Sequence, residues 1–361
     1  MIVERTHYYA KPGQREAVLA NRRRACEVRV AIGLPAGTIR VKADPSADGP
    51  DVAWECAFPT RAAHQADLDA RKSSADFEAV RAVMRGLIDR FERLFEERAA
   101  GARDWTGDVD VSATPIVPRE LTYRSGPYDL KAYLYVPPGR GPFPCMIYNH
   151  GSGLTKNAED AVQPGIAAAL MSWGIACLYP HRHGYGNSPG PDWRSECPAE
   201  TFSPEYNRQI IARLDRESAD VVAAYNLART LPEIVGTRIG VMGSSFGGVN
   251  TLLSASKEPG FRCAVEFAGA AMNWDRNPDL AAFMIAAAQR VTMPIFFIQA
   301  ENDFSIRPTR ELAASLAGSG KVVEAKIFPP FGLTAWEGHL LAGRGPQIWG
   351  PDVRRFLERW L

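Results

Sequence analysis

From about residue 120 onward, short unbroken apolar runs alternate with helical stretches, and few folds accept that grammar. CMIYNH, IACLYP, RIGVMG, CAVEFAG, PIFFIQA and AKIFP each read as a strand. Strands that are apolar on both faces belong in a parallel sheet with helices on either side. Helices are expected over 158–173, 205–231 and 246–257, with PDVRRFLERWL as an amphipathic closing helix. LKAYLYVP, followed by the turn PPGRGPFP, reads as an antiparallel lead-in strand. In such a sheet the catalytic loops lie at the carboxyl ends of the strands.

The first hundred residues have a different character. IVERTHYYA reads as a strand and 12–32 as a helix rich in Ala, Arg, Glu and Leu. TIRVKA and VAWECAF read as strands around the turn-forming DPSADGPD. Thr60 fits a helix N-cap, and a second helical region runs to about Gly86. LIDRFERLF suits a closing strand or a helix end. The order β-α-β-β-α-β is that of a ferredoxin-like α+β unit. In order and length it resembles the NIPSNAP-like and related dimeric α+β barrel domains. A sheet with helices on one side leaves its other face open, so a homodimer through this domain is expected. Residues 101–120, rich in Gly, Pro and Asp, read as a linker. The expected organisation is therefore 1–100, linker 101–120, and a second domain over 121–361.

Composition removes several functional classes. Of 361 residues, 42 are basic and 41 acidic, a net of +1. Such a balance gives no reason to expect nucleic acid, an anionic membrane or a polyacidic partner. The opening MIVERTHYYAKPG lacks the pattern of a signal peptide, and no apolar run approaches the roughly 18 residues of a membrane helix. A cytoplasmic location is expected. Cys26, Cys56, Cys145, Cys177, Cys197 and Cys263 form no C-x-x-C pair and no metal-ligand spacing. Neither a metal nor a cofactor is expected.

Chemistry concentrates around Ser245. Gly243-Ser244-Ser245-Phe246-Gly247 follows RIGVM directly and precedes an Ala/Ser/Leu-rich helix, so a G-x-S-x-G motif stands in a strand–turn–helix context. The turn is sharp enough to require small neighbours and a strained serine, and it presents the hydroxyl at a helix N-terminus. A serine nucleophile needs a base. Of the six histidines, only His339 follows Ser245 in the chain. Glu301-Asn302-Asp303 ends the strand PIFFIQA, and Asp303 is the expected acid, with Glu301 and then Asp275 as rivals. Its role would be to orient His339.

The oxyanion needs two backbone donors. The N–H of Phe246 is one candidate. Ser152 is the second, with Gly151 close behind, from the Asn149-His150-Gly151-Ser152-Gly153 loop. His150 precedes the serine and is read as a brace for that loop. His181-Arg182-His183-Gly184-Tyr185-Gly186-Asn187-Ser188 is read chiefly as a structural turn, with substrate contact as the second reading. Residues 189–204 form a long irregular stretch expected in a lid or pocket wall. Trp274, Phe304, Trp336 and Tyr185 are candidate substrate-binding side chains.

Residues 120–361 resemble the dienelactone hydrolase and prolyl-oligopeptidase-like branch of the α/β-hydrolases. The Asn149–Gly153 loop is similar to the H-G-x-x oxyanion loop, and the His181–Ser188 segment to the R-G-x-G-x-S loop of these enzymes. The resemblance implies an α/β-hydrolase fold and a serine mechanism. Dienelactone hydrolases proper use a cysteine nucleophile, and the serine here favours ester hydrolysis. The expected activity is a carboxylic-ester hydrolase acting on a small molecule. Lactone, amide or peptide hydrolysis and a cofactor-free haloperoxidase or perhydrolase share the same residues. A non-enzymatic alternative is an N-terminal binding or dimerisation module on an inactive hydrolase.

Overall fold

The computed structural model describes residues 2–361 apart from 43, 45–48, 59, 98–108, 113 and 158–162. The chain divides into two compact units, Met1–Asp104 and Trp105–Leu361. The linker expected over 101–120 lies in part outside the described residues, and strand structure resumes at Arg119.

The first unit runs β1 (Ile2–Ala10), α1 (Arg15–Ala31), β2 (Thr38–Val41), β3 (Val52–Phe58), α2 (Arg61–Ser73), α3 (Ala75–Leu87) and β4 (Ile88–Glu97). Its antiparallel sheet has the order β2-β3-β1-β4, the arrangement of a split β-α-β-β-α-β unit. LIDRFERLF resolves as strand, because alternate residues pair along β1, Tyr8 with Phe91 and Thr6 with Arg93. The single second helix expected from Thr60 to Gly86 is two. Thr60 caps the first by accepting from the Ala63 N–H at 3.0 Å. Ser74 stops it and caps the next by accepting from the Phe77 N–H at 3.1 Å. Val18, Trp54, Phe58 and Met84 pack the core between sheet and helices. The opposite sheet face carries charge, including the Arg5–Glu55 pair at 2.6 Å.

The second unit contains β5 (Arg119–Ser125), β6 (Tyr128–Tyr135), β7 (Phe143–Asn149), α4 (Pro164–Ser172), β8 (Ala176–Pro180), α5 (Trp193–Glu196), α6 (Pro204–Ala228), β9 (Ile234–Ser244), α7 (Phe246–Lys257), β10 (Ala264–Phe267), α8 (Pro278–Ala288), β11 (Ile295–Ala300), α9 (Arg307–Ser315), β12 (Val323–Phe328), α10 (Ala335–His339), α11 (Leu341–Arg344) and α12 (Pro346–Trp360). The eight strands form one sheet in the order β12-β11-β10-β9-β7-β8-β6-β5. The β5–β6 and β6–β8 pairs are antiparallel and all others parallel. Two antiparallel lead-in strands, a crossover that brings β8 outside β7, and parallel strands to the far edge make the α/β-hydrolase fold.

Two cores flank this sheet. Leu214 and Val221 of α6, Val249 of α7 and Met284 of α8 fill one side. Ile166 and Leu170 of α4 and Trp349 and Phe356 of α12 fill the other. Each fully buried side chain of this size contributes roughly 1.5–3 kcal/mol relative to exposure. The helix expected over 158–173 is seen from Pro164, its first residues lying outside the described set. Among the described residues, no helix is long and apolar enough to cross a membrane.

Candidate active site

The edge between β9 and α7 is built on glycine. Ser245 has φ +59° and ψ −127°, a left-handed conformation that costs a non-glycine residue of order 1–3 kcal/mol. Its N–H donates to the Phe267 carbonyl at 2.9 Å, which fixes the turn against β10. A Cβ on Gly247 would stand 2.1 Å from the Asn149 carbonyl oxygen, and one on Gly243 would stand 2.5 Å from the Gly247 oxygen. Both glycines are therefore required by the close approach of β7 to the turn. The helix that follows leaves its first N–H groups, Phe246 among them, without intrahelical partners.

His339 closes α10. Thr334 accepts from the Glu337 N–H at 3.1 Å while Glu337 Oε2 accepts from the Thr334 N–H at 3.0 Å, a reciprocal cap that makes the turn helical. The His339 Nδ1 lies 2.9 Å from Asp303 Oδ1 and 3.2 Å from Oδ2. Both side chains are buried. Asp303 also accepts from the Phe304 N–H at 2.7 Å and from Gln299 Nε2 at 2.9 Å, so its carboxylate is held on three sides. With Nδ1 on the carboxylate, Nε2 is the free ring nitrogen; it is buried and has no hydrogen-bond partner. The rivals of Asp303 are elsewhere: Glu301 is exposed, and Asp275 is paired with Arg307.

Ser245 and His339 line one cleft of about 390 Å³, together with Gly151, Ser152, Gly153, Met272 and Trp336. Gly151 meets the serine directly: a Cβ on it would lie 3.2 Å from Ser245 Cβ. His150 braces this loop. Its Nδ1 donates to the Gly151 carbonyl at 2.8 Å, and its Nε2 accepts from the Arg182 N–H at 3.3 Å. Burial, reinforced by the Arg182 charge, holds its pKa well below the usual histidine value, so the ring is neutral.

Behind the loop lies a buried ion cluster that sequence reasoning did not find. Glu217 receives Arg182 Nε at 2.8 Å and Arg213 Nε at 2.7 Å, all three fully buried. Burial opposes the Glu217 charge, but the two guanidinium groups outweigh it and hold its pKa down. Arg182 Nη2 also donates to the His150 carbonyl at 2.9 Å, so the cluster holds the Gly151 loop. The His181–Ser188 segment is a structural turn here. His181 accepts from the Asn187 N–H at 3.1 Å, and His183 Nδ1 sits 2.6 Å from Asp220.

The four candidate substrate side chains separate. Trp336 is 53% exposed in the cleft wall, and Phe304 stands edge-on to His339 at 5.6 Å. Trp274 instead fills the core and donates to Glu311, because the helical turn after β10 folds it inward. Tyr185 is also buried, packed on His150 at 4.7 Å and beneath Arg182 and Arg213. In the 189–204 stretch, Trp193 stacks on Phe246 at 5.1 Å and so backs the turn after Ser245.

Another carboxylate lies deep beside the site. Glu266 of β10 is fully buried, its Oε1 accepts from the Gly269 N–H, and its Oε2 has no partner. Burial first, and the Asp303 charge second, push its pKa up to about 8.

Residues 191–332 match the Dienelactone hydrolase family. No curated protein matches the sequence. Among solved structures, an esterase of Pyrococcus furiosus is 19% identical, with a TM-score of 0.51 over 73% of this chain and 98% of that one. Est1E from Butyrivibrio proteoclasticus, solved with ferulic acid bound, is 17% identical, with a TM-score of 0.50 over 66% and 98%. The Pyrococcus horikoshii acylaminoacyl peptidase is 18% identical, with a TM-score of 0.49 over 68% of this chain, and the alignment spans only 42% of the peptidase. The likenesses to the Pyrococcus furiosus esterase and to Est1E speak to the fold.

Proposed function

We propose that this protein is a serine hydrolase that cleaves a carboxylic ester through an acyl-enzyme. The observation that carries the reading is one cleft shared by a strained serine at a strand–helix turn and by a histidine whose far nitrogen is held by a buried carboxylate. The match of 191–332 to the Dienelactone hydrolase family supports hydrolysis.

In the proposed reaction Ser245 Oγ attacks the ester carbonyl carbon and His339 Nε2 takes its proton. Asp303 keeps the ring in the required tautomer and stabilises the imidazolium that forms. The Ser245–His339 hydrogen bond is not made in the resting enzyme, and such bonds often tighten only with substrate bound. The Phe246 N–H and that of Ser152 or Gly151 receive the oxyanion. Collapse of the tetrahedral intermediate expels the alcohol, protonated by His339. Water activated by the same histidine then releases the acid and restores the serine. Trp336, backed by Phe304, and Met272 offer an apolar wall to one side of the substrate.

Release of nitrophenol from short acyl esters tests the reading. The Ser245→Ala variant is expected to lose it while remaining folded. Turnover retained in that variant would overturn the proposal. A parallel panel of lactones and amides separates ester hydrolysis from its neighbours in chemistry.

A further inference from the structure

The first unit has its own ionic arithmetic, and it does not balance. Among the described residues of this unit, Arg22, Arg29 and Arg71 are buried, against two buried carboxylates, Glu4 and Asp67. Arg29 takes Asp67 at 2.6 Å. Arg71 takes Glu4 at 2.7 Å and Asp67 at 2.8 Å. Arg22 is left with neutral company, the Tyr8 hydroxyl at 3.2 Å and the Cys26 sulfur at 3.7 Å. Its guanidinium lies 4.5 Å over the Trp54 ring, and its Nε–H is buried without a partner. A buried unpaired charge is among the most costly features a fold can keep, and one cation–π contact offsets only a small part of that cost.

Arg22 borders an opening between the sheet and helices α1 and α3, a cavity of about 110 Å³. Phe77, Met84, Ile88 and Phe91 give it apolar walls, Arg71, Arg81, Arg85 and Arg93 stand at its border, and among the described residues no acidic one lines it. Phe91 is 53% exposed at this opening although it lies on the helix-covered sheet face, so the cavity communicates with solvent.

We propose that this cavity is a binding site for a small organic monocarboxylate with an apolar or aromatic body, Arg22 serving as its counter-charge. A carboxylate drawn to the Arg22 guanidinium would complete the ion balance with one negative charge. The hydrocarbon part would take the place of water along the Phe77–Met84–Ile88 wall. A phosphate dianion fits less well, since the other arginines of the lining are already paired, Arg71 and Arg93 with Glu4 and Arg81 and Arg85 with Glu78, and Arg22 alone brings an uncompensated charge. The proposal rests on the first unit alone and stands or falls separately from the hydrolase reading.

The test is calorimetric titration of the full-length Ser245→Ala protein with benzoate, phenylacetate and hexanoate, with the matching amides and inorganic phosphate as comparisons. Saturable binding of at least one acid, with no binding of its amide, is expected. Arg22→Met is expected to weaken it by about tenfold or more, and to leave ester hydrolysis unchanged when made in the active protein. Val80→Phe, which fills the cavity and keeps the charge, decides the matter if Arg22→Met fails to fold, because it too is expected to remove binding. The proposal is overturned if no acid binds up to about 10 mM, if binding survives both substitutions, or if phosphate or the amides bind as well as the acids.

Discussion

Gly338 packs so closely on Asn302 that a Cβ on the glycine would stand 2.6 Å from Asn302 Oδ1. These two residues neighbour His339 and Asp303 in the chain. Asn302 further accepts from the Phe331 N–H at 2.8 Å and donates to the Thr334 carbonyl at 3.0 Å. The segment that delivers the histidine is thus tied to the segment that delivers the acid. Gly338→Ala must push the two apart, and a displacement near 1 Å is expected to lower kcat about a hundredfold. Steady-state kinetics on a short acyl ester, beside a thermal melt showing a folded protein, would check it.

Asp303→Asn keeps the shape of the side chain but favours the wrong histidine tautomer. On the proposed mechanism kcat should fall about ten-thousand-fold with KM little changed. A loss below tenfold would mean that Asp303 is not the orienting acid.

Gly151→Ala places a methyl group 3.2 Å from Ser245 Cβ and 3.3 Å from the Ser244 carbonyl oxygen. The backbone N–H survives, so the loss reads positioning of the serine rather than removal of a donor. A fall in kcat of about tenfold or more is expected, with the melting temperature nearly unchanged. An alanine variant as fast as the parent would show that the 151 loop yields freely.

Glu217→Gln leaves Arg182 and Arg213 buried without their shared counter-charge. Breaking a buried ion pair in this way costs about 3–5 kcal/mol. Denaturant unfolding of the second unit's transition should show that loss; a change under 1 kcal/mol, at the level of about a surface pair, would contradict the cluster's role.

Stability should also fall toward alkaline pH. The folded pKa of Glu266 is raised from 4.5 to about 8, so the folded state holds a proton that the unfolded state gives up between those values. Stability therefore declines as pH rises from about 4.5 to about 8. His183 adds to the decline. Burial works against its charge, but the Asp220 partner prevails and raises its pKa above 6.5, so its contribution is lost as pH rises through that folded value. Glu266→Gln removes the carboxyl contribution. The melting-temperature gap between variant and parent should widen in the variant's favour from pH 5 to pH 8, and a constant gap would count against it.

The parallel sheet was legible because its strands are apolar on both faces, a pattern that survives without any structure. Ser245 was legible because a strand, a glycine-flanked serine and a helix appear in register along the chain. Strand β5, RELTYRS, was not, since it lies at a sheet edge with five polar or charged residues among its seven and so lacks an apolar run. Ser74 did not read as a break because one capping serine interrupts an otherwise continuous helical composition. Trp274 and Tyr185 stand beside motif residues in sequence but face the interior, and nearness along the chain says nothing of direction. The Arg182–Glu217–Arg213 cluster escaped for a related reason. Arg213 and Glu217 are four apart on α6, and such a pair reads as a solvated helix face unless a third charge is known to cover it.

That cluster also sets what may be transplanted. Anyone reshaping the acyl side of this cleft would be drawn to exchange residues 149–155 as a cassette. Yet the His150 carbonyl hangs from Arg182, Arg182 from Glu217, and Glu217 from Arg213, which in turn reaches the Asp192 carbonyl at 2.9 Å. The exchangeable module is four separate stretches of chain, and a library that varies only the first samples loops whose anchor points still belong to the original.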